Sequence, residues 1–192
     1  VCNSKTGKYI NPEDWESFIS NENVILIDTR NDYEVKVGKF KQAINPKCKD
    51  FIEILKWITD KLLKKKDIKN KRIAMYCTGG IRCEKASSFI KSLGHNEVYQ
   101  LRGGILNYFS RNKIYASWEG ECFVFDNRVS VTEKLNQGSY DICYACRMPL
   151  SKSDKLSYTY LKGISCIHCY GNKSYKQLNK YKNRQKQLNM SN

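Results

Sequence analysis

Three short apolar runs constrain this chain most: Val24 to Asp28 (VILID), Arg72 to Tyr76 (RIAMY) and Val98 to Leu101 (VYQL). Each reads as a buried strand, and helix-like segments lie between and after them. Asp50 to Leu63 places Phe51, Ile54, Leu55, Ile58 and Leu62 at i, i+3, i+4, i+7 and i+11, the stripe of an amphipathic helix. Cys83 to Leu93 reads as a second helix stopped by Gly94, and Ile105 to Arg111 as a last one. Strands alternating with helices build a parallel sheet covered on both faces, so an α/β domain is expected over residues 1–111. With 192 residues, the chain has room for one sizeable core plus a satellite too small to fold unaided.

The alternation stops after residue 111. A polar stretch, Asn112 to Ser117, reads as a linker, followed by a strand candidate at Cys122 to Phe125. A Cys-rich module is expected over 112–170. Within it, Cys143 and Cys146, then Cys166 and Cys169, form two Cys-x-x-Cys steps separated by 19 residues. That spacing is characteristic of a zinc site. Four thiolates close a tetrahedral shell with no position left for a substrate, so the metal is expected to be structural. His168 is expected to be a bystander or to support a ligand. From Gly171 to Asn192 there are six basic residues and no acidic one, predicting a loose helix or a flexible tail.

The segment Cys77-Thr78-Gly79-Gly80-Ile81-Arg82-Cys83 lies where a buried strand ends and a helix begins. A loop with two Gly can turn its backbone N–H groups inward, making with the helix N-terminus a cradle for an anion. Here that anion can be Cys77 itself as thiolate, with its pKa lowered by those donors and by Arg82. Cys77 is therefore the candidate nucleophile and Arg82 its catalytic partner, with Thr78, Gly79, Gly80 and Ile81 forming the loop. Cys83 either resolves a disulfide or persulfide on Cys77 or simply packs against the sheet. Asp28 and Arg30 are expected to pair and hold the adjoining loops. No role is assigned to His95, Cys48 or Cys2; Cys122 either approaches the Cys77 site or, more simply, is a buried strand residue.

Charge is distributed as 34 Lys plus Arg against 19 Asp plus Glu, a net +15. This suits a nucleic-acid partner, but 26 of the 34 are Lys amid abundant Asn, Tyr and Ile, as compositional drift would also produce. At the start of the tail and within it, Tyr170, Tyr175 and Tyr181 interleave with Lys and either stack on bases or belong to a solvated segment. The longest aliphatic run is Val24 to Ile27, so no membrane span is expected. Nine cysteines, odd in number and four of them in metal-type spacing, point to a reducing cytoplasm. The start, Val1-Cys2-Asn3-Ser4-Lys5, lacks both Met and the apolar run of a signal peptide, so a longer parent chain is expected.

The loop from Cys77 to Arg82 resembles the active-site loop of the rhodanese-like domain, a six-residue turn opened by Cys and ending near Arg. Asp28-Thr29-Arg30 resembles the Asp-x-Arg element of that fold, and Gly38 to Pro46 (GKFKQAINP) its Gly-containing turn. Lys39 and Gln42 stand where most rhodaneses have His and Gly. Those departures, with CTGGIRCEK at Cys77 to Lys85, LRGGI at Leu101 to Ile105 and GECFVFDNRVSV at Gly120 to Val131, resemble the rhodanese-type tRNA uridine hydroxylases. The resemblance runs from about Gly7 to Tyr170. It implies an additional N-terminal ferredoxin-like domain, and hydroxylation at C5 of the tRNA wobble uridine with molecular oxygen as co-substrate. The residue matching Cys77 is then essential or a persulfide carrier. Sulfur transfer, with a sulfur donor protein as partner, is the alternative chemistry, and a catalytically silent tRNA-binding module the third reading. No flavin, haem or iron-ligand motif is visible in the sequence.

Overall fold

The computed structural model describes residues 6–112 and 114–190; Cys2 and the start of the chain lie outside them. Four parallel strands, β1 (Lys8–Ile10), β2 (Val24–Asp28), β4 (Arg72–Tyr76) and β5 (Val98–Leu101), form a sheet in the order β1-β5-β4-β2. β3 (Gly38–Phe40) stands apart, antiparallel to β6 (Trp118–Gly120). The three strands expected from apolar runs form over the expected residues and the candidate at Cys122 to Phe125 forms only over Cys122–Phe123, whereas β1, β3 and β6 are too short to show a period.

Alternation along each strand explains why helices cover both faces. Ile73 and Met75 of β4 join a core with Ile54, Ile58 and Leu62 and with Cys83, Ala86 and Ile90 of α4 (Ile81–Ser92). Ala74 and Tyr76 point the other way, into a core with Trp15 and Ile19 of α1 (Pro12–Ile19) and Ile105, Tyr108 and Phe109 of α5 (Gly104–Arg111). Local chemistry sets the helix starts. Pro12 opens α1 where its missing N–H costs nothing. Asn31 and Glu34 form a capping box on the short α2 (Asp32–Val35), and the Asp50 carboxylate accepts from Glu53 N at 2.9 Å.

The amphipathic stripe from Phe51 is buried as expected, but it is not one regular helix. α3 (Phe51–Trp57) continues as a π-helical turn over Ile58–Leu62, with Leu63 N donating to Ile58 O at 2.9 Å. The wider turn leaves Ile54, Ile58 and Leu62 all fully buried.

The expected linker after residue 111 is instead part of the first unit. Tyr115 donates to Phe109 O at 2.9 Å, and Asn112 Nδ2 to Pro12 O at 2.9 Å. Trp118 packs edge-on against Phe40 and Phe109, with centroids at 5.0 and 5.2 Å. Packing Tyr115 and Trp118 against the aromatic core outweighs the polar look of the stretch. One compact unit accordingly holds the chain to Val124 together with Val131–Asn136, and the other Phe125–Ser130 with Gln137–Asn192.

In the second unit a small antiparallel pair, Asp141–Ile142 with Pro149–Leu150, carries the first Cys pair at its turn. The last turn-rich stretch carries the second pair. Its interior consists of Leu150 and three cysteines, with Ala145, Cys146 and Tyr160 packed against them. The segment expected as a loose helix or flexible tail forms α6 (Tyr175–Met190). Arg184 anchors it by donating from Nη2 to Gly163 O at 2.8 Å and Tyr144 O at 3.1 Å, long-range contacts that composition does not reveal. Among the described residues no helix is long and apolar enough to cross a membrane.

Phe40 is the hub of the aromatic core, touching Trp15, Tyr76, Tyr108 and Trp118 at 4.8 to 6.1 Å. Phe40→Ala is expected to lower folding stability by about 3–5 kcal/mol, measured by urea denaturation of the first unit's aromatic fluorescence.

Candidate functional site

Cys77 directly follows β4, and its side chain is 2% exposed. The loop turns into α4 at Gly80, which has φ +96, a conformation that costs glycine little. This turn aims Gly80 N–H at the Cys77 sulfur, 3.1 Å away. The Cys77 thiol is shifted from its ordinary 9.0 down to about 6. The largest cause is a hydrogen bond from the Cys83 side chain; the Arg82 charge and the backbone N–H groups of Cys83 and Gly80 add to it, and together they overcome burial. Cys83 itself is pushed well above the usual thiol range by burial and by its charged neighbour, so it stays protonated and can donate. Thr29 lies 3.4 Å from the Cys83 sulfur and donates its hydroxyl to Tyr76 O.

The expected site residues from Cys77 to Cys83 are thus brought around one sulfur, with Ile81 turned outward and exposed. Asp28 and Arg30 form the expected pair, both fully buried, with Nη2 to Oδ2 at 2.6 Å. Arg82 lowers the Cys77 pKa as expected, and it also has a partner that the sequence did not show. Its fork closes on Glu34, with Nη1 and Nη2 at 2.7 and 2.8 Å from the two carboxylate oxygens. Glu34 is fully buried and the pair fixes the guanidinium beside Cys77, where its charge favours the thiolate.

Sequence reasoning missed two contributors, Glu34 and Gly104, and left Cys122 between two readings. Glu34 was visible only as the third position of the Asn31 capping box. Gly104, in the LRGGI string, has φ +67, and a Cβ there would stand 2.5 Å from the carbonyl oxygens of both Cys77 and Thr78. Without that Cβ, the first turn of α5 docks on the loop, with Ile105 N donating to Cys77 O at 3.0 Å and Leu106 N to Thr78 O at 3.2 Å. These N–H groups have no partner inside their own helix, so they can hold the loop. Cys122 is fully buried as expected of a strand residue, but its environment is polar. Burial raises its pKa to about 12, while the Arg30 charge and the Thr78 side chain work against that rise. His95 contacts Lys71 O and lies outside this cluster. Cys48 is buried near Pro46 O.

In the second unit, the sulfurs of Cys143, Cys146, Cys166 and Cys169 all lie within 4.8 Å of one another. Cys146 to Cys166 is 3.6 Å and Cys166 to Cys169 is 3.8 Å. Ligands at the usual zinc–sulfur length on a tetrahedron are about 3.8 Å apart, so these four cysteines can hold a metal such as zinc. His168 is not one of the four.

The rhodanese-like domain family model matches residues 11–111, and the chain belongs to that family. Among solved structures, a rhodanese-related protein from Thermoplasma volcanium is 23% identical, covering 55% of this chain and 93% of that one with a TM-score of 0.43. A rhodanese-like domain from Anabaena sp. is 18% identical over 58% of this chain and 78% of that one, TM-score 0.47. A rhodanese-like domain protein from Staphylococcus aureus is 20% identical over 59% and 97%, TM-score 0.44.

Two outcomes are expected. Alkylation of Cys77 by iodoacetamide, followed by peptide mass spectrometry, should have its midpoint near pH 6 and not 9. Arg82→Met should move it upward. Because the folded pKa is the lower one, the stabilisation from Cys77 ionisation is complete above pH 9 and is lost as pH falls to about 6. For the second unit, mass spectrometry under native conditions should find one zinc per chain. Cys166→Ser or chelation should remove it and abolish the hydrogen-exchange protection of residues 141–170.

Proposed function

We propose that this protein hydroxylates the wobble uridine of tRNA at C5, with Cys77 as the nucleophile. The observation carrying this reading is that three sequence strings resembling the tRNA uridine hydroxylases come together at the Cys77 loop. CTGGIRCEK forms the cradle, Gly104 of LRGGI permits the close approach that holds it, and Cys122 of GECFVFDNRVSV lies beside Thr78 and Arg30. Uracil C5 is a poor nucleophile until a group adds at C6. A thiolate with a pKa near 6 is largely ionised at neutral pH and suited to that addition. Inward-facing N–H groups of the loop would hold the negative charge developing on uracil O4. Dioxygen supplies the oxygen atom: one atom enters at C5, the other leaves as water with two electrons and two protons from a reductant, and Cys77 departs as the C5 proton is lost. The partner is tRNA, and a reducing cytoplasm would keep Cys77 and the four metal-site cysteines reduced.

Sulfur transfer is the second reading, favoured by the same low-pKa sulfur, which as a thiolate would equally attack a sulfane donor to form a persulfide, the donor's leaving group departing as an anion. Nucleoside mass spectrometry of tRNA separates the two, using cells that lack the activity and are complemented with wild-type or Cys77→Ser protein. Return of 5-hydroxyuridine with wild type alone is expected. No return with either, together with cyanide-dependent thiosulfate turnover by the wild type, would replace hydroxylation by sulfur transfer.

A further inference from the structure

The second unit contains eleven Lys or Arg against three Asp and no Glu. Its few acids are already engaged: Asp126 pairs with Arg128, Asp141 with Lys155, and Asp154 accepts from Ser151 N at 2.8 Å. The unpaired positive charge gathers where α6 lies along the turns that carry the cysteines. Two clefts of about 280 and 420 Å³ adjoin there and share Lys162, Gln185 and Asn189. The first adds Tyr144, Arg147, Arg184 and Leu188; the second adds Lys182 and Lys186 over an apolar floor of Leu161 and Ile164. No carboxylate lines either cleft.

The groove is built into the fold of this unit. The Arg184 contacts with Tyr144 O and Gly163 O fix α6 against the cysteine-bearing turns. Arg147 packs over the Tyr144 ring at 5.8 Å, and Tyr144 remains 54% exposed at the groove's edge. Lys182 and Lys186, one helical turn apart, are both exposed along the same side of α6. A row of cations would suit any polyanion. An exposed aromatic face beside them, with the amides of Gln185 and Asn189, also matches the flat bases and polar edges of a nucleic acid, which an acidic peptide lacks.

We propose that this groove binds an RNA strand, with Arg147, Lys162, Lys182 and Lys186 on the phosphates and Tyr144 stacked on a base. The inference shares an RNA partner with the proposed function but none of its chemistry. A protein that binds RNA here yet forms no 5-hydroxyuridine removes the hydroxylase reading and leaves this one standing.

The test is fluorescence anisotropy of the zinc-loaded full chain with a labelled tRNA anticodon stem-loop across a salt series. For the triple variant Lys162→Gln, Lys182→Gln, Lys186→Gln, the slope of log K against log salt should be shallower than wild type by about 2, at about 0.7 per lost single-strand phosphate contact. Tyr144→Ala should weaken binding by about fivefold or more while leaving the slope unchanged. Lys64→Gln, Lys65→Gln, Lys66→Gln, which removes equal charge from an exposed stretch of the first unit, should alter neither. A wild-type slope in the groove variant, an equal loss in the control, or displacement of the RNA by polyglutamate as readily as by unlabelled RNA would overturn the assignment.

Discussion

A guanidinium with no access to water organises the first unit. Arg30 is fully buried, and burial works against its charge, yet its pKa is raised because Asp28 outweighs that cost. Its Nη2 also donates to Gly38 O at 2.6 Å, and its plane lies 5.6 Å from the rings of both Tyr76 and Trp118. One side chain therefore ties the end of β2 to β3, to the residue before Cys77 and to β6. A buried charge missing its partner is far more costly than either a complete pair or an apolar substitute. These segments must close together or not at all, which gives the sheet's functional end a defined geometry.

The same principle recurs one layer outward, where Glu34 is buried and Arg82 answers it. The two ion pairs differ in consequence. Asp28 and Arg30 neutralise each other inside the core, whereas the Arg82 charge also reaches Cys77 and favours its thiolate. Locking Arg82 on Glu34 fixes the field at the sulfur, the kind of preorganisation that stabilises charge without rearrangement during reaction. The first turn of α5 then holds the loop from behind through Ile105 N and Leu106 N, so backbone donors from two helices converge on one strand end.

How much of this was legible depended on whether the signal was local. VILID, RIAMY and VYQL announced strands because a buried strand is an apolar run, and Cys77 announced itself by the Gly-Gly turn beside it. The capping box at Asn31 was equally local, but the second task of Glu34, at Arg82, spans 48 residues of sequence and leaves no pattern. Trp118 illustrates the opposite failure. A polar approach from Asn112 to Ser117 suggested a linker, while the aromatic pairs that draw it into the core join positions far apart in the chain. β1, β3 and β6 span three residues each, too few for a period of two to stand out.

The second unit rests on a different balance. Its interior is little more than cysteines, Leu150 and Tyr160, and α6 contributes no buried residue to it. Apolar burial on that scale cannot offset the chain entropy of about sixty residues, so four cysteines gathered in metal-binding geometry are a thermodynamic requirement as much as a motif. Arg184 reaches the carbonyls of Tyr144, between the first two cysteines, and of Gly163, just before the third. The order of a polar, basic helix is thereby linked to the order of the cysteine cluster. A module with almost no hydrophobic core can in this way hold a row of cations rigid, presenting charge along a line that a freely moving tail would spread over many conformations.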